Sequence, residues 1–308
     1  MPDLIITGVP RSGTTLAAAM IDQAPDALCL SEPDNHVELM TSATDAEDFV
    51  ARLGREFDAI RRTVLSGGSV LDRRRADGAP VTNYFTDPGP DGRRETAFAI
   101  RAVARPGLPP DFVLGVKHNA LYAAVLPEII RSARFRIIAV VRDPVALLLS
   151  CRSLDLPISR GRLPAGERFW PELAALGQAE FGLLEKQARI VDLLFSRFAQ
   201  FSHQIDVIPY EVFVTDPERL LTAAGVQPLV SSGIARRMPA SNYGNEENAT
   251  LTEQIRQLMA AGQLPGIARY YPHYGRDAVR RGPPRSPHLD SGPPSRAGAV
   301  TMRAAGAS

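Results

Sequence analysis

The stretch Leu4-Ile5-Ile6-Thr7-Gly8-Val9-Pro10-Arg11-Ser12-Gly13-Thr14-Thr15 decides the fold. Its first part, Leu4 to Val9, is typical of a short buried strand, and the small residues from Thr14 to Gln23 predict a helix that ends before Pro25. When a strand, a glycine-containing loop and a helix follow in this order, the backbone N–H groups at the helix N-terminus can bind an anion. The sequence therefore predicts a phosphate-binding loop at the start of an α/β fold.

The same order of elements recurs near the middle of the chain. Phe135 to Val141 is an apolar run that predicts a second buried strand, and Arg142 follows it directly. Asp143 suits an N-cap and Pro144 suits the first helical position, so a helix is expected to start there and to run through Ser150. A second site for an anion can lie at this strand end.

Alternating strands and helices set the expected architecture. Phe112 to Val116 and Ile205 to Pro209 are two further short apolar runs that lead into helical sequence. This alternation predicts an α/β fold of P-loop type, with a mostly parallel sheet flanked by helices in a single domain over residues 1–275.

Two regions depart from that pattern. Residues 34–110 read as an irregular insertion, with a helix over Asp45 to Leu65 and then mobile loops from Ser66 to Arg94, a natural place for elements that bind an acceptor. Residues 276–308 are rich in Pro, Gly, Ser, Ala and Arg, a composition that predicts a disordered tail.

Composition limits the classes of function. The 308 residues carry a formal net charge of +1, which argues against a dedicated nucleic-acid binder. The sequence has neither a basic leader nor an apolar run of about 20 residues, so we expect a cytoplasmic protein without a membrane anchor. The two cysteines, Cys29 and Cys151, are expected to be reduced, and no cluster of ligands predicts a metal site.

The loop between Gly8 and Gly13 differs from that of a nucleotide kinase. A Walker A loop has a lysine after its second glycine, whereas this chain has Thr14. Arg11 is the cation inside this loop, and its planar guanidinium matches the oxygens of phosphate and sulfate. The loop therefore predicts an anion site of a different kind.

The string from Pro10 to Thr15 resembles the phosphosulfate loop of sulfotransferases that use 3′-phosphoadenosine 5′-phosphosulfate (PAPS). In motif the chain looks closest to tyrosylprotein-type and related bacterial members of that family. The resemblance implies that PAPS is the donor and 3′-phosphoadenosine 5′-phosphate (PAP) the product. It also implies which loop residues contact the 5′-phosphosulfate: Arg11, Ser12, Gly13, Thr14 and Thr15.

The second strand end matches the family's other signature, in which an arginine and a serine eight residues later bind the 3′-phosphate. Here these are Arg142 and Ser150, and the helical spacing from position 143 lets Ser150 point back over the first turn. Tyr210, in Tyr210-Glu211, resembles a family tyrosine near the adenosine of the donor. A further basic residue of the family falls near Leu154, so either Arg152 replaces it or that contact is absent.

The resemblance also implies the catalytic groups. Glu32, just after the first helix, corresponds to the general base, and Lys117 corresponds to a lysine that stabilises charge on the bridging oxygen, assisted by Arg11. His118 is a rival base, because cytosolic members use a histidine near such a lysine. The family spacing there is K-x-H whereas this chain has K-H, which favours Glu32.

We therefore expect an enzyme that transfers a sulfuryl group from PAPS to an acceptor hydroxyl, on a small molecule or a carbohydrate. Two alternatives stay open: a P-loop small-molecule kinase or nucleotidase, and a catalytically silent PAP-binding protein. The sequence does not indicate the identity of the acceptor or the oligomeric state.

Overall fold

The computed structural model describes residues 3–87, 94–152, 154–227 and 245–276. The predicted disordered tail, apart from its first residue, lies outside these ranges. The strands are Asp3–Gly8 (β1), Ala27–Ser31 (β2), Val70–Arg74 (β3), Ala99–Val103 (β4), Val113–Lys117 (β5), Phe135–Val141 (β6) and Asp206–Pro209 (β7).

Helices follow most of these strands. They are Thr14–Asp22 (α1), Asn35–Ser42 (α2), Ala46–Leu65 (α3), Ala120–Ala124 (α4), Leu126–Arg131 (α5), Pro144–Arg152 (α6), Pro164–Glu167 (α7), Pro171–Gln178 (α8), Leu183–Gln200 (α9), Tyr210–Thr215 (α10), Pro217–Ala224 (α11), Asn245–Ala260 (α12), Pro265–Tyr270 (α13) and His273–Arg276 (α14). Among the described helices, none is both long and apolar enough to cross a membrane.

The main sheet is parallel and has the order β2-β5-β1-β6-β7. Alternate residues of its strands face two separate cores. Ile5 packs with Phe57 of α3 and Phe195 of α9 on one face. Leu4 packs with Met20 of α1 and Phe213 of α10 on the other. Because both faces are covered, the strands are almost continuously apolar.

The predicted α/β architecture is confirmed, and β1, β5, β6 and β7 lie within one residue of the predicted positions. Asp143 caps α6 as expected, since its Oδ1 accepts a hydrogen bond from the Ala146 N–H at 2.9 Å. The long helix of the insertion is also confirmed, with Asp45 as its N-cap: Oδ1 accepts from the Asp48 N–H at 2.8 Å.

The insertion is more regular than the sequence predicted. The expectation of mobile loops over 66–94 is wrong for Val70–Arg74, which pairs antiparallel with Ala99–Val103 in a second small sheet. The strand Val70–Arg74 does not show the apolar pattern of a buried strand, because its inward-facing side chains are charged: Asp72 and Arg74 are each 3% exposed. The edge strand Ala27–Ser31 was also missed, and it is this strand that carries Glu32 at its end.

Candidate active site

Five parallel strands end at the same edge of the sheet, and each end leads to a residue predicted from the sequence. β1 leads into the glycine loop, β2 into Glu32, β5 into His118, β6 into Arg142 and β7 into Tyr210. In open α/β sheets, ligands bind outside the carboxyl ends of the strands. The topology therefore collects the predicted side chains at one site.

The glycine loop turns tightly between β1 and α1. The N–H of Ser12 donates to the Val9 carbonyl at 3.0 Å, and Arg11 has a φ of 73°, in the left-handed region. Ser12 is fully buried, and among the described residues its hydroxyl has no hydrogen-bond partner. A buried hydroxyl without a partner is costly, so an anion in the loop would satisfy it. Thr15 is half-buried at the start of α1.

Gly13 permits the ring of Tyr210 to lie directly against this loop. Gly13 has a φ of 98°, and a Cβ at this position would overlap the Cδ2 and Cε2 atoms of Tyr210. Two independent constraints therefore require glycine here, the backbone conformation and the contact with the ring. The guanidinium of Arg142 lies 4.7 Å from the centroid of the same ring.

Arg11 connects the two predicted anion sites. Its Nε donates to the Ser150 Oγ at 3.1 Å, across 139 residues of chain. Its backbone carbonyl accepts from the Arg142 Nη1 at 2.9 Å. In the described part of the chain the buried Nε of Arg142 has no partner. The loop thus forms one continuous basic site with Arg142 and Ser150.

Thr14 occupies the position of the Walker lysine and is also bonded. Its hydroxyl donates to the Asn119 Oδ1 at 2.6 Å, while the Thr7 hydroxyl donates to the Asn119 carbonyl at 2.8 Å. Asn119, two residues beyond β5, therefore fixes the start of α1. The sequence analysis did not select it, because a lone asparagine after a strand is also common in turns.

Glu32 is held by two cations. Its N–H donates to the Lys117 carbonyl at 2.9 Å, and its φ is 52°. The Lys117 Nζ lies 2.6 Å from Oε1, and the Arg73 Nη1 lies 2.8 Å from Oε2. Burial raises the pKa of this carboxyl, but the charge and hydrogen bond of Lys117, the charge of Arg73 and, at the acid pH where its ring is protonated, that of His118 outweigh burial and hold the pKa well below its usual range.

Lys117 is completely buried, and Tyr84 helps to hold it. The lysine Nζ lies 4.5 Å from the centroid of the Tyr84 ring and donates to the Tyr84 hydroxyl at 3.4 Å. The same hydroxyl is 2.8 Å from the Ser31 hydroxyl. Burial alone lowers the pKa of the lysine, yet the Glu32 carboxylate raises it overall, so Lys117 stays charged.

His118 lies beside these groups but faces a different set of side chains. Its ring packs against His36 at 6.3 Å and Tyr122 at 5.6 Å between centroids. Burial lowers the pKa of His118 to about 4 and that of His36 to about 3, so both rings are neutral at pH 7. The Tyr122 hydroxyl is 3.2 Å from the His36 Nδ1.

Comparison with known proteins shows the family of the chain. A family model described as the sulfotransferase family matches residues 2–224. The chain belongs to the sulfotransferase family. Protein-tyrosine sulfotransferase 1 of Danio rerio is 27% identical over 220 residues, which are 71% of this chain and 50% of that protein. The chain thus spans half the length of the curated relative it matches.

A solved structure is also similar. The crystal structure of a sulfotransferase from Alicyclobacillus acidocaldarius, 15% identical, aligns with 91% of this chain and 99% of that chain, with a TM-score of 0.38.

Several site residues of this sulfotransferase-family chain lie in the insertion, where no motif marked them. Arg73 contacts Glu32, and the Asn83 Oδ1 accepts from the Arg11 Nη1 at 3.1 Å. Close to Ser150 in the sequence, Leu154 is buried and Arg152 is exposed at the end of α6. Arg73 stands in the run Arg73-Arg74-Arg75, and nothing in the sequence distinguishes the arginine that contacts Glu32 from the other two.

Proposed function

We propose that this chain transfers a sulfuryl group from PAPS to an acceptor hydroxyl and releases PAP. The observation that carries the proposal is the double contact of Arg11, which bonds through its side chain to Ser150 and through its carbonyl to Arg142. A kinase binds a nucleotide whose phosphates form one continuous chain, so its loop does not require contact with a second basic site at the next strand end. A donor with a phosphate at each end of an adenosine requires both sites to lie together.

The residues present fit that donor. The N-terminus of α1, Arg11 and the buried Ser12 hydroxyl would hold the 5′-phosphosulfate, together with Thr14 and Thr15. Arg142 and Ser150 would hold the 3′-phosphate. The ring of Tyr210 would lie near the adenosine, because it packs on Gly13 between the two anion sites.

Glu32 is the proposed general base and Lys117 the proposed electrostatic catalyst. When bound, PAPS supplies a sulfuryl group activated by its bond to the 5′-phosphate. The acceptor oxygen forms a bond to sulfur while the bond from sulfur to the phosphate oxygen breaks. Glu32 takes the hydroxyl proton, and Lys117 with Arg11 neutralises the charge that develops on the leaving oxygen.

The ion pair between Glu32 and Lys117 implies an order of events. With both oxygens bonded to cations, Glu32 is a weak base. An anionic donor in the loop competes for the Lys117 ammonium, and the loss of one cation raises the pKa of Glu32 towards a value suited to proton transfer. Donor binding thereby prepares the base.

The acceptor would enter beside Glu32, where a cavity of about 300 Å³ opens. Its lining includes Glu32 and Arg73 together with the exposed apolar side chains Leu71 and Ile100. That volume is at the lower end for small-molecule sites, which supports a small-molecule or carbohydrate acceptor. The similar Danio rerio protein is named for protein tyrosine, so a tyrosine side chain is the alternative acceptor. A cytoplasmic location stays a prediction.

The first experiment measures thermal unfolding with PAP and with ATP plus Mg²⁺. Stabilisation by PAP is expected, because a ligand that binds only the folded state raises its stability. Stabilisation by ATP and Mg²⁺ alone would instead support the kinase or nucleotidase alternative. Sulfate transfer from labelled PAPS to a panel of phenols, sugars and tyrosine peptides then identifies the acceptor class.

The second experiment compares Glu32→Gln with His118→Gln once an acceptor is found. Loss of a general base should lower kcat by about 10²- to 10⁴-fold in the Glu32 variant, with the Kd for PAP retained. Glu47→Gln, at a carboxylate on the exposed start of α3, is the matched control for charge. A loss of that size in His118→Gln, with Glu32→Gln active, would assign the base to His118. PAP binding without transfer to any acceptor would favour the silent protein.

A further inference from the structure

The C-terminal segment after residue 264 carries buried tyrosine hydroxyls that reach the donor side of the sheet. The Tyr274 hydroxyl donates to the Asp143 Oδ2 at 2.7 Å, and the Tyr271 hydroxyl donates to the Glu211 Oε2 at 3.0 Å. Both tyrosines are less than 10% exposed. They lie beyond residue 224, where the match to the family model ends.

Each of the two carboxylates that accept these bonds belongs to a residue that directly follows a proposed donor-binding residue in the sequence. Asp143 follows Arg142, and Glu211 follows Tyr210. The carboxylates are also joined to each other, since the Asp143 N–H donates to the Glu211 Oε1 at 3.0 Å. The remaining Asp143 oxygen caps α6, the helix that carries Ser150. One hydrogen-bonded unit thus joins the ends of β6 and β7.

We propose that Tyr274 and Tyr271 are positioning residues for the donor, acting through Asp143 and Glu211. Tyr274 fixes Asp143, and with it the direction of Arg142 and the start of the Ser150 helix. Tyr271 fixes Glu211, and with it the ring of Tyr210 that faces Gly13 and the Arg142 guanidinium. Neither tyrosine contacts the donor itself. The inference rests on the proposed use of a PAPS-type donor.

The chemistry of the contacts supports this role. Hydrogen bonds to charged acceptors are stronger than those between neutral groups, and removing a donor from a partly buried carboxylate such as Asp143 or Glu211 leaves part of its charge unsatisfied. A carboxylate released in this way is free to turn towards the adjacent Arg142 and to compete with the 3′-phosphate for it. The tyrosines therefore keep Asp143 and Glu211 directed away from the anion site.

The test is isothermal calorimetry with PAP and with 5′-AMP, which differ only in the 3′-phosphate. Tyr274→Phe should weaken PAP binding by about three- to tenfold and leave AMP binding unchanged, because it acts on the residues for the 3′-phosphate. Tyr271→Phe should weaken both ligands by a similar factor, since Tyr210 contacts the part that they share. Tyr270→Phe is the matched control: in the described chain its buried hydroxyl has no partner, and both affinities should stay unchanged.

The outcomes separate the two proposals. Wild-type protein that binds PAP no more tightly than AMP would overturn the proposed donor. Wild-type discrimination that persists fully in Tyr274→Phe would overturn the positioning role alone, as would an equal loss for PAP and AMP in that variant. If a variant unfolds at the assay temperature, hydrogen exchange of the wild-type protein with PAP and with 5′-AMP provides the second route. PAP should slow exchange in residues 271–275 more than AMP does, and equal exchange there with both ligands would count against the inference.

Discussion

Arg11 and Glu32 share an unusual backbone, because both have φ values in the left-handed region, at 73° and 52°. For a residue other than glycine this conformation costs on the order of 1 kcal/mol, and such residues cluster at functional sites. The turn at Arg11 sends its carbonyl to Arg142 while its guanidinium reaches Ser150. At Glu32 the turn keeps the N–H bonded to Lys117 and returns the carboxylate to the same lysine.

Gly13 offers a direct test at the same scale. Gly13→Ala should lower the free energy of unfolding by about 1–2 kcal/mol for the left-handed backbone, and by about 1–3 kcal/mol more because the new Cβ overlaps the Tyr210 ring. Gly67→Ala is the control, since Gly67 has a φ of 80° and open space around its Cα. Urea unfolding of both variants measures the difference, and equal losses would show that the contact with Tyr210 is unimportant.

At the scale of elements, one buried arginine attaches the small second sheet to the main one. The Arg74 Nη1 lies 2.5 Å from the Asp22 Oδ2 on α1, and its Nε lies 2.7 Å from the Asp72 Oδ2 on β3. Asp72 also accepts from the Ser31 N–H at 2.8 Å, beside Glu32. This network fixes the hairpin that presents Arg73 to the proposed base.

Arg74→Met should therefore be strongly destabilising. Removing the cation leaves two buried carboxylates, and breaking a buried ion pair in this way costs about 3–5 kcal/mol. Burial already raises the pKa of Asp72 to about 6, so the variant can relieve the loss by binding a proton, and the deficit should be smaller at pH 5 than at pH 8. Arg75→Met removes the adjacent arginine, which is 56% exposed and pairs with the equally exposed Asp77.

Arg75→Met should change the free energy of unfolding by less than about 1 kcal/mol at either pH, as expected for a surface ion pair. Denaturant titrations at pH 5 and pH 8 compare the two variants. A similar small loss in both would mean that the Arg74 network contributes little to the attachment of the hairpin.

The same elements explain what the sequence could and could not predict. Phe135 to Val141 was placed correctly because a strand covered on both faces is an uninterrupted apolar run. Val70–Arg74 was missed because Asp72 and Arg74 are buried as partners of each other, and no periodicity in hydrophobicity records such a pairing. Arg73 was missed with its strand, although it contacts Glu32.

At the scale of the molecule, the site depends on contacts between distant parts of the chain. Motifs predicted Arg11 and Ser150, and the structure brings them together across 139 residues. Tyr274 meets Asp143 across 131 residues, and no motif pointed to it. A local pattern identifies a loop that meets a ligand through its own backbone, whereas a residue that acts through another can be found only from the folded contacts.

Hydrogen exchange tests whether these distant segments respond together. With PAP at 100 times its Kd, exchange that requires release of the ligand should slow by up to about 100-fold. We expect slower exchange in residues 9–15, at the start of α6 and, through Asp143 and Glu211, in residues 271–275, where the Tyr274 and Gly275 amides bond within the turn. AMP should protect residues 9–15 and should protect 271–275 less than PAP does, because only the contact through Tyr271 is coupled to the part that the two ligands share. Peptides from Pro171–Gln178 serve as the control, and protection by PAP that stops at α6 would show that the C-terminal tyrosines are not coupled to the donor.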